Sequence, residues 1–269
     1  LGEEPFFMVG ALFVFWCVDK RKGYYLLSVG FVGTLINQWL KIICRVPRPW
    51  IRDPNFTIVK SAQAEATGYS FPSGHTQTAV GFFGGVARFT GRWWLRIICI
   101  VVLLLVSVSR MYLGVHTPAD VGVSFATAAV LVFVLYPLIE STLWFPNRIY
   151  LILGGMLAFS LAFVGYMEFF PFPAGIDPDN FAHAVKNAYS MAGAVGGMLV
   201  VCVFDNRLLQ FPNRAPWWGQ AVKLLGGLAL VVLVKSLLKA PLLGLLGGHE
   251  AAHAVRYFLV VLTAGCLWP

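Results

Sequence analysis

The chain has 269 residues, of which 58% are hydrophobic and only 12% are charged. A soluble domain carries about 25% charged residues, so this composition excludes a soluble globular protein and indicates that most of the surface faces lipid. Lipid offers no partners to free backbone groups, and long apolar runs without period-two alternation exclude a barrel. The predicted fold is therefore all-α, a polytopic transmembrane helical bundle of about eight or nine spans.

The net charge of +8 and the five cysteines point to no nucleic acid, disulfide framework or metal site. The basic residues lie in short loops between apolar runs, as in most membrane proteins. The cysteines are scattered in or beside apolar runs without paired spacing, which is typical of small buried hydrophobic residues. We therefore expect the bilayer as a partner, and neither nucleic acid nor a bound metal.

Nine helices are predicted in chain order, mostly joined by short loops. Their approximate ranges are 6–18, 24–44, 73–87, 94–112, 118–139, 148–167, 181–204, 218–238 and 251–267. Residues 45–71 form a long polar segment, and loops of this length in a compact fold are usually functional or disordered. The pattern predicts a helical core in residues 1–140 and additional transmembrane helices, residues 141–269, packed on that core.

Threading these helices back and forth sorts the loops onto two sides of the membrane. One side receives most of the basic loop residues, from Lys20–Lys22 to Arg88, Arg92 and Arg96. Short loops rich in Lys and Arg stay in the cytoplasm. The other side receives three polar clusters, Lys41–Pro49, Pro72–His75 and Ser109–Asp120. These clusters are therefore expected to be extracytoplasmic, in a bacterial plasma membrane. Cations within these clusters break the charge rule, which suggests that they have another role.

The three clusters carry the groups that a phosphate ester needs. Lys41, Arg48 and Arg110 can supply positive charge, and an arginine fork matches phosphate oxygens. Ser73 is the expected N-cap of the third helix, whose start then presents free N–H groups to an anion. Gly74 lets the backbone come close to that anion.

His116 and Asp120 flank a second predicted helix start. Thr117 is the expected N-cap, and Asp120 completes a capping box. Asp120 either serves only this cap or also accepts the Nδ1–H of His116, and its two oxygens allow both. In the second case Nε2 of His116 becomes the nucleophile, and His75 remains as general acid for the leaving oxygen.

In order and spacing, the three clusters resemble the signature of the type 2 phosphatidic acid phosphatase superfamily. The three parts of that signature stand here without substitution, as Lys41…Arg48-Pro49, Pro72-Ser73-Gly74-His75 and Ser109-Arg110…His116…Asp120. The layout of the helices also resembles, more loosely, the glucose-6-phosphatase branch.

This resemblance implies a role for each matching residue. His116 would form a phosphohistidine intermediate, Asp120 would orient it, and His75 would protonate the leaving group. Phosphate would be bound without metal by Lys41, Arg48, Ser73, Gly74 and Arg110.

Several functions are compatible with these residues. The preferred one is hydrolysis of a lipid phosphate or pyrophosphate, such as polyprenyl pyrophosphate, phosphatidate or phosphatidylglycerol phosphate. The alternatives are the same chemistry on a soluble sugar phosphate, a phosphotransferase, or a non-enzymatic transporter or scaffold, against which the intact catalytic residues argue. A remote alternative is a zinc protease, because His249, Glu250 and His253 spell H-E-x-x-H, a short pattern that often arises by chance.

Overall fold

The computed structural model describes residues 4–53, 55–64 and 66–269, in which every regular element is a helix and none is a strand. The N-terminal part contains α1 Glu4–Phe13, α2 Lys20–Cys44, α3 Pro49–Arg52, α4 Lys60–Ala64, α5 Gly74–Ala79, α6 Gly85–Phe89, α7 Trp93–Tyr112 and α8 Pro118–Glu140. A π-helical turn, Val80–Gly84, joins α5 to α6 into one continuous helix.

Five further helices follow: α9 Arg148–Phe169, α10 Pro178–Phe204, α11 Trp217–Leu237, α12 Lys239–Leu245 and α13 Ala251–Leu262. Each helix predicted from the sequence is present, with bounds that differ by a few residues. The polar segment 45–71 differs from the prediction of a loop, because it contains the short helices α3 and α4.

Six segments of the described chain are long and apolar enough to cross a membrane: Lys20–Arg52, Trp93–Tyr112, Pro118–Leu143, Arg148–Phe169, Pro178–Leu209 and Trp217–Leu245. Two apolar helices, Pro5–Val18 and Ala251–Leu267, are shorter. The predicted all-α membrane fold is thus confirmed, and the span count agrees roughly with the prediction.

The chain forms two compact units. Unit 1 comprises Leu1–Ala11, Tyr25–Glu140 and Pro173–Ala184, and unit 2 comprises Leu12–Tyr24, Ser141–Phe172 and Val185–Pro269.

In unit 1 the continuous helix α5–α6 packs against α7 and α8. Val80, Leu103 and Ala128, one from each of these three helical stretches, form a buried cluster. Tyr25 of α2 is 1% exposed, and its hydroxyl donates to the carbonyl of Val132 over 2.8 Å. These contacts hold the helices that carry the polar clusters.

In unit 2 a buried indole and an ion pair join distant stretches of the chain. Trp16 is fully buried, and its Nε1 donates to the carbonyl of Ala264 over 2.8 Å. Lys20 Nζ lies 2.7 Å from a carboxylate oxygen of Asp205. Small residues in α10 let α13 approach closely, since a Cβ on Gly193 would lie 2.7 Å from the Cα of Ala254.

Candidate active site

Two helices of unit 1 begin side by side. Ser73 caps α5, since its Oγ accepts from the N–H of Thr76 over 3.4 Å. Thr117 and Asp120 form the predicted capping box at the start of α8: Asp120 N donates to Thr117 Oγ1 over 3.3 Å, and Thr117 N donates to Asp120 Oδ2 over 2.8 Å. The backbone N–H of Ser73 also donates to the carbonyl of Asp120 over 3.1 Å, so the two helix starts are joined directly.

The same two helices run in parallel from this point. Farther along, Thr127 Oγ1 donates to Oε1 of Gln77 over 2.9 Å. The first contact joins Ser73 to Asp120 and the second joins Gln77 to Thr127, so residue numbers rise in the same direction along both helices. His75 and His116 therefore lie at the same end of this helix pair. The sequence predicted this placement.

His116 lies between a cation and a carboxylate and is 4% exposed. Its Nε2 is 3.1 Å from Nη1 of Arg48, and its Nδ1 is 3.4 Å from Oδ2 of Asp120. A guanidinium can only donate, so Nε2 is the accepting nitrogen and the ring proton sits on Nδ1, facing Asp120. This is the tautomer that leaves the Nε2 lone pair for attack on phosphorus.

One oxygen of Asp120 makes three polar contacts. Oδ2 accepts from Ser70 Oγ over 2.6 Å and from Thr117 N over 2.8 Å, and it is also the oxygen nearest to His116. Asp120 therefore serves the cap and faces His116 at the same time, but through one oxygen and not through two as expected. Sequence reasoning missed Ser70, which belongs to no motif and was indicated only by its place in the polar segment 45–71.

Arg48 is a candidate phosphate ligand that also connects two loops by hydrogen bonds. Besides His116, it donates to three carbonyls: those of Thr67 over 2.6 Å, Gly68 over 3.0 Å and Val115 over 3.0 Å. Four of its five N–H groups are thus engaged. Arg48 thereby ties residues 67–68 to the loop that presents His116.

The remaining cations line the same site. Lys41, in the last turn of α2, is buried and donates from Nζ to the carbonyl of Tyr69. Arg110, in the last turn of α7, is also buried. Arg48 and Lys41 therefore place positive charge near His116, and the carboxylate of Asp120 faces the other nitrogen of its ring.

His75 and His116 lie outside the six candidate spans, and both are uncharged at neutral pH in the free protein. Burial lowers the pKa of His116 to about 4, against the opposing hydrogen bond to Asp120, and the charges of Arg48 and Lys41 lower it further. Burial likewise lowers the pKa of His75 to about 4, and the charge of Arg110 is the second cause of this lowering. The electrostatic effect of Arg110 indicates that its side chain lies near His75.

Two glycines shape the approach to the site. No described heavy atom lies within 4 Å of the position that a Cβ on Gly74 would take, so the start of α5 faces open space. Gly114 has φ +75°, and a Cβ there would lie 2.6 Å from the carbonyl oxygen of Thr57. Only glycine fits this turn, two residues before His116.

The structure thus brings together the eight residues predicted for the site: His75, His116, Asp120, Lys41, Arg48, Ser73, Gly74 and Arg110. Comparison with known proteins bears on the same stretch. A family model described as PAP2 superfamily matches residues 21–144, which include all eight. A second, described as PAP2 superfamily phosphatase, transmembrane extension, matches residues 189–269.

The chain belongs to the PAP2 superfamily. This is the family indicated by the three-part signature, and the second match assigns the C-terminal helices to its transmembrane extension. This PAP2 protein is therefore an integral membrane protein.

Individual relatives are similar over about half of this PAP2 chain. Sphingosine-1-phosphate phosphatase 1 of Rattus norvegicus is 28% identical over 146 residues, which are 52% of this chain and 33% of that protein. Sphingosine-1-phosphate phosphatase 2 of Mus musculus is 31% identical over 143 residues, 51% of this chain and 39% of that protein. Undecaprenyl-diphosphatase of Sulfolobus acidocaldarius is 29% identical over 120 residues, 44% of this chain and 56% of that protein.

The chain therefore spans between about a third and just over half of the length of the curated relatives it matches. No solved structure matches it.

The H-E-x-x-H pattern of this PAP2 protein does not have the helical geometry of a zinc site. Helix α13 begins at Ala251, so His249 precedes it and accepts from the N–H of Ala251 over 3.0 Å. His253 Nε2 instead lies 3.4 Å from Glu250. Across the described part of the chain, no three His, Cys, Asp or Glu side chains are grouped as metal ligands.

Proposed function

We propose that this protein is a membrane phosphatase that hydrolyses a lipid phosphomonoester or pyrophosphate through a phosphohistidine on His116. The observation that carries the proposal is the position of the His116 ring, whose Nε2 faces Arg48 while its Nδ1–H faces Asp120. Relatives named for a sphingolipid phosphate and for undecaprenyl diphosphate support a lipid substrate.

In the first step, Nε2 of His116 attacks phosphorus. The N–P bond forms as the bond from phosphorus to the leaving oxygen breaks, and protonated His75 gives its proton to that oxygen. The attacked imidazole becomes positively charged, and Asp120 stabilises this charge through the Nδ1–H.

In the second step, water attacks the phosphohistidine. His75, now neutral, takes a proton from the water, the N–P bond breaks, and inorganic phosphate leaves with His116 restored. The same two histidines therefore complete the cycle, with His75 acting first as acid and then as base.

Positive charge at the site stabilises the phosphoryl oxygens. Lys41, Arg48 and Arg110 supply the charge, and Ser73 and Gly74 place the N–H groups at the start of α5 next to open space. We propose that these groups suffice without a metal ion. A bound phosphate dianion also raises the pKa of nearby His75, so the acid form is generated when substrate binds.

We place the site on the extracytoplasmic side of a bacterial plasma membrane. Arg88 lies in the last turn of the continuous helix whose first turn contains His75, and Arg92 lies in the turn that follows it. Under the positive-inside rule, that basic end is cytoplasmic.

The test measures the release of inorganic phosphate by purified protein reconstituted in vesicles, with a panel of candidate phosphate substrates. It contains a sphingoid-base phosphate, phosphatidate, polyprenyl pyrophosphate and glucose 6-phosphate, each with and without EDTA. We expect the best lipid to exceed the sugar phosphate by at least about tenfold, with no effect of EDTA. Rapid quenching with radiolabelled lipid should trap an acid-labile phosphoryl group on wild type and none on His116→Ala.

The lipid assignment fails if glucose 6-phosphate is the best substrate. Loss of activity with EDTA would overturn metal independence, and turnover by His116→Ala would overturn the intermediate. If His116→Ala is inactive but unfolded by circular dichroism, His116→Asn, which preserves polarity and approximate volume, repeats the test.

A further inference from the structure

A groove of about 440 Å³ runs between the continuous helix α5–α6, α7 and α8 of unit 1. Its wall is almost wholly apolar and includes Leu104, Phe125 and Val132, but Arg88 and Arg96 also line it. A volume of about 300–1,000 Å³ is typical of sites that hold a small ligand. The catalytic mechanism proposed above uses none of these residues.

The two arginines are fixed at one end of the groove. Arg96 donates from Nε to the carbonyl of Ala87 over 3.1 Å and from Nη2 to that of Thr90 over 3.0 Å. The Arg88 guanidinium lies 4.4 Å from the ring centroid of Tyr136. Both guanidinium groups are thus held by neighbouring groups, and both side chains remain exposed to a ligand.

Nearby tryptophans give the depth of this end in the bilayer. Trp93 and Trp94, in the first turn of α7, are 73% and 47% exposed. Exposed tryptophan at a span terminus is typical of the headgroup level. Arg96 therefore lies near lipid phosphates, and Leu104, eight residues on, lies about 12 Å deeper along the helix.

We propose that this groove binds one anionic glycerophospholipid as a site separate from the catalytic centre. The lipid phosphate contacts Arg88 and Arg96, and one acyl chain lies along the apolar wall. Charge complementarity selects the anionic headgroup, and the depth of the wall selects an acyl chain. His75 is 13 residues from Arg88 in the continuous helix, a rise of about 20 Å, so the two sites do not overlap.

A bound lipid would also contact the packed helices that carry the active-site residues. Val80 lines the groove and belongs to the buried cluster with Leu103 and Ala128. An acyl chain in the groove therefore adds contacts to the three helical stretches whose ends carry His75, Arg110 and Asp120. We expect occupancy to raise the temperature of unfolding.

The experiment titrates purified protein with phosphatidylglycerol or phosphatidylcholine and counts bound lipid by native mass spectrometry. Both are phosphodiesters, so neither offers a phosphomonoester to the catalytic site. The variants are Arg88→Gln, Arg96→Gln and Ala129→Trp, the last of which fills the groove. Arg92→Gln is the matched control, because Arg92 is an exposed arginine of the same turn that does not line the groove.

We expect one phosphatidylglycerol to bind wild type and Arg92→Gln alike and to raise their unfolding temperature more than phosphatidylcholine does. Binding should weaken about fivefold for each arginine removed and be lost in Ala129→Trp. Equal weakening in Arg92→Gln would overturn the proposal, since diffuse surface charge would then explain the preference. Undiminished binding in Ala129→Trp would overturn it as well, and Gly84→Leu provides a second filled groove if Ala129→Trp does not fold.

Discussion

Nη1 of Arg48 lies 3.1 Å from Nε2 of His116, the atom that we propose attacks phosphorus. In the free protein this contact fixes the tautomer of His116 and points the lone pair toward a donor. Attack on a substrate requires the same lone pair, so Arg48 must transfer that N–H to a phosphoryl oxygen when substrate binds. Its other bonds, to Thr67, Gly68 and Val115, hold the guanidinium within reach during the transfer.

Replacement of Arg48 by lysine should show that the fork matters beyond its charge. Arg48→Lys retains a positive charge but cannot bond three carbonyls and His116 together. We expect kcat/KM to fall at least about a hundredfold, measured on the best lipid substrate in detergent micelles.

Arg52→Lys, an exposed substitution at the end of α3, is the matched control and should keep wild-type activity. Wild-type kcat/KM in Arg48→Lys would contradict the role of the fork.

Removal of the Ser70 hydroxyl should impair the orientation of Asp120 without removing it. Asp120 Oδ2 would lose the hydrogen bond of 2.6 Å and keep the N–H of Thr117. A hydrogen bond to a charged group contributes about 1.5–3 kcal/mol, so we expect Ser70→Ala to lower kcat about tenfold while KM changes little.

Ser107→Ala serves as the control, because Ser107 is equally buried and donates only within its own helix, to the carbonyl of Leu103. If the two variants lose activity equally, Ser70 has no specific role in positioning Asp120.

The titration of His116 gives a third prediction. Its folded-state pKa is lowered to about 4 by burial, so the neutral, nucleophilic form persists well below the ordinary value of 6.5. The activity that depends on the lone pair is therefore present above about pH 4 and is lost as the pH falls through that value. Nitrogen-15 NMR of labelled histidine, with His116→Ala to assign the signal, measures the pKa directly in the free protein; a value near 6.5 would contradict the prediction.

The parts of the site that were predictable from sequence are local along the chain. The caps at Ser73 and Thr117 bond backbone groups three residues away, so the residue types alone indicate them. The contact of Ser70 with Asp120 joins positions 50 residues apart. Nothing in the periodicity of either segment encodes that pairing, because it depends on how the polar segment folds over the helix starts.

The same difference between local and long-range contacts explains which parts of the fold were predictable. Nine apolar runs were sufficient to locate the helices, because burial in lipid requires continuous backbone pairing. The π-helical turn Val80–Gly84 was not predicted, since its sequence, VGFFG, is as apolar as its helical neighbours. Likewise, the use of a single Asp120 oxygen for three contacts follows from packing geometry and not from residue type.

Two glycines in α10 allow the effect of helix propensity on stability to be distinguished from the effect of packing. A Cβ on Gly193 would lie 2.7 Å from the Cα of Ala254 in α13, backbone that cannot turn aside. At Gly196, one turn on, a Cβ would make ordinary contacts of 3.7 Å with Leu157 and Phe258. Overpacking costs about 1–3 kcal/mol, whereas alanine is about 1 kcal/mol better than glycine inside a helix.

The two substitutions should therefore shift stability in opposite directions. We expect Gly193→Ala to lower the unfolding temperature of the purified protein by several degrees and Gly196→Ala to leave it unchanged or raise it slightly. Circular dichroism at 222 nm during heating in one detergent measures both variants under the same conditions. Equal unfolding temperatures would mean that α10 and α13 do not pack with their backbones in contact, because only that contact distinguishes two glycines on the same helix.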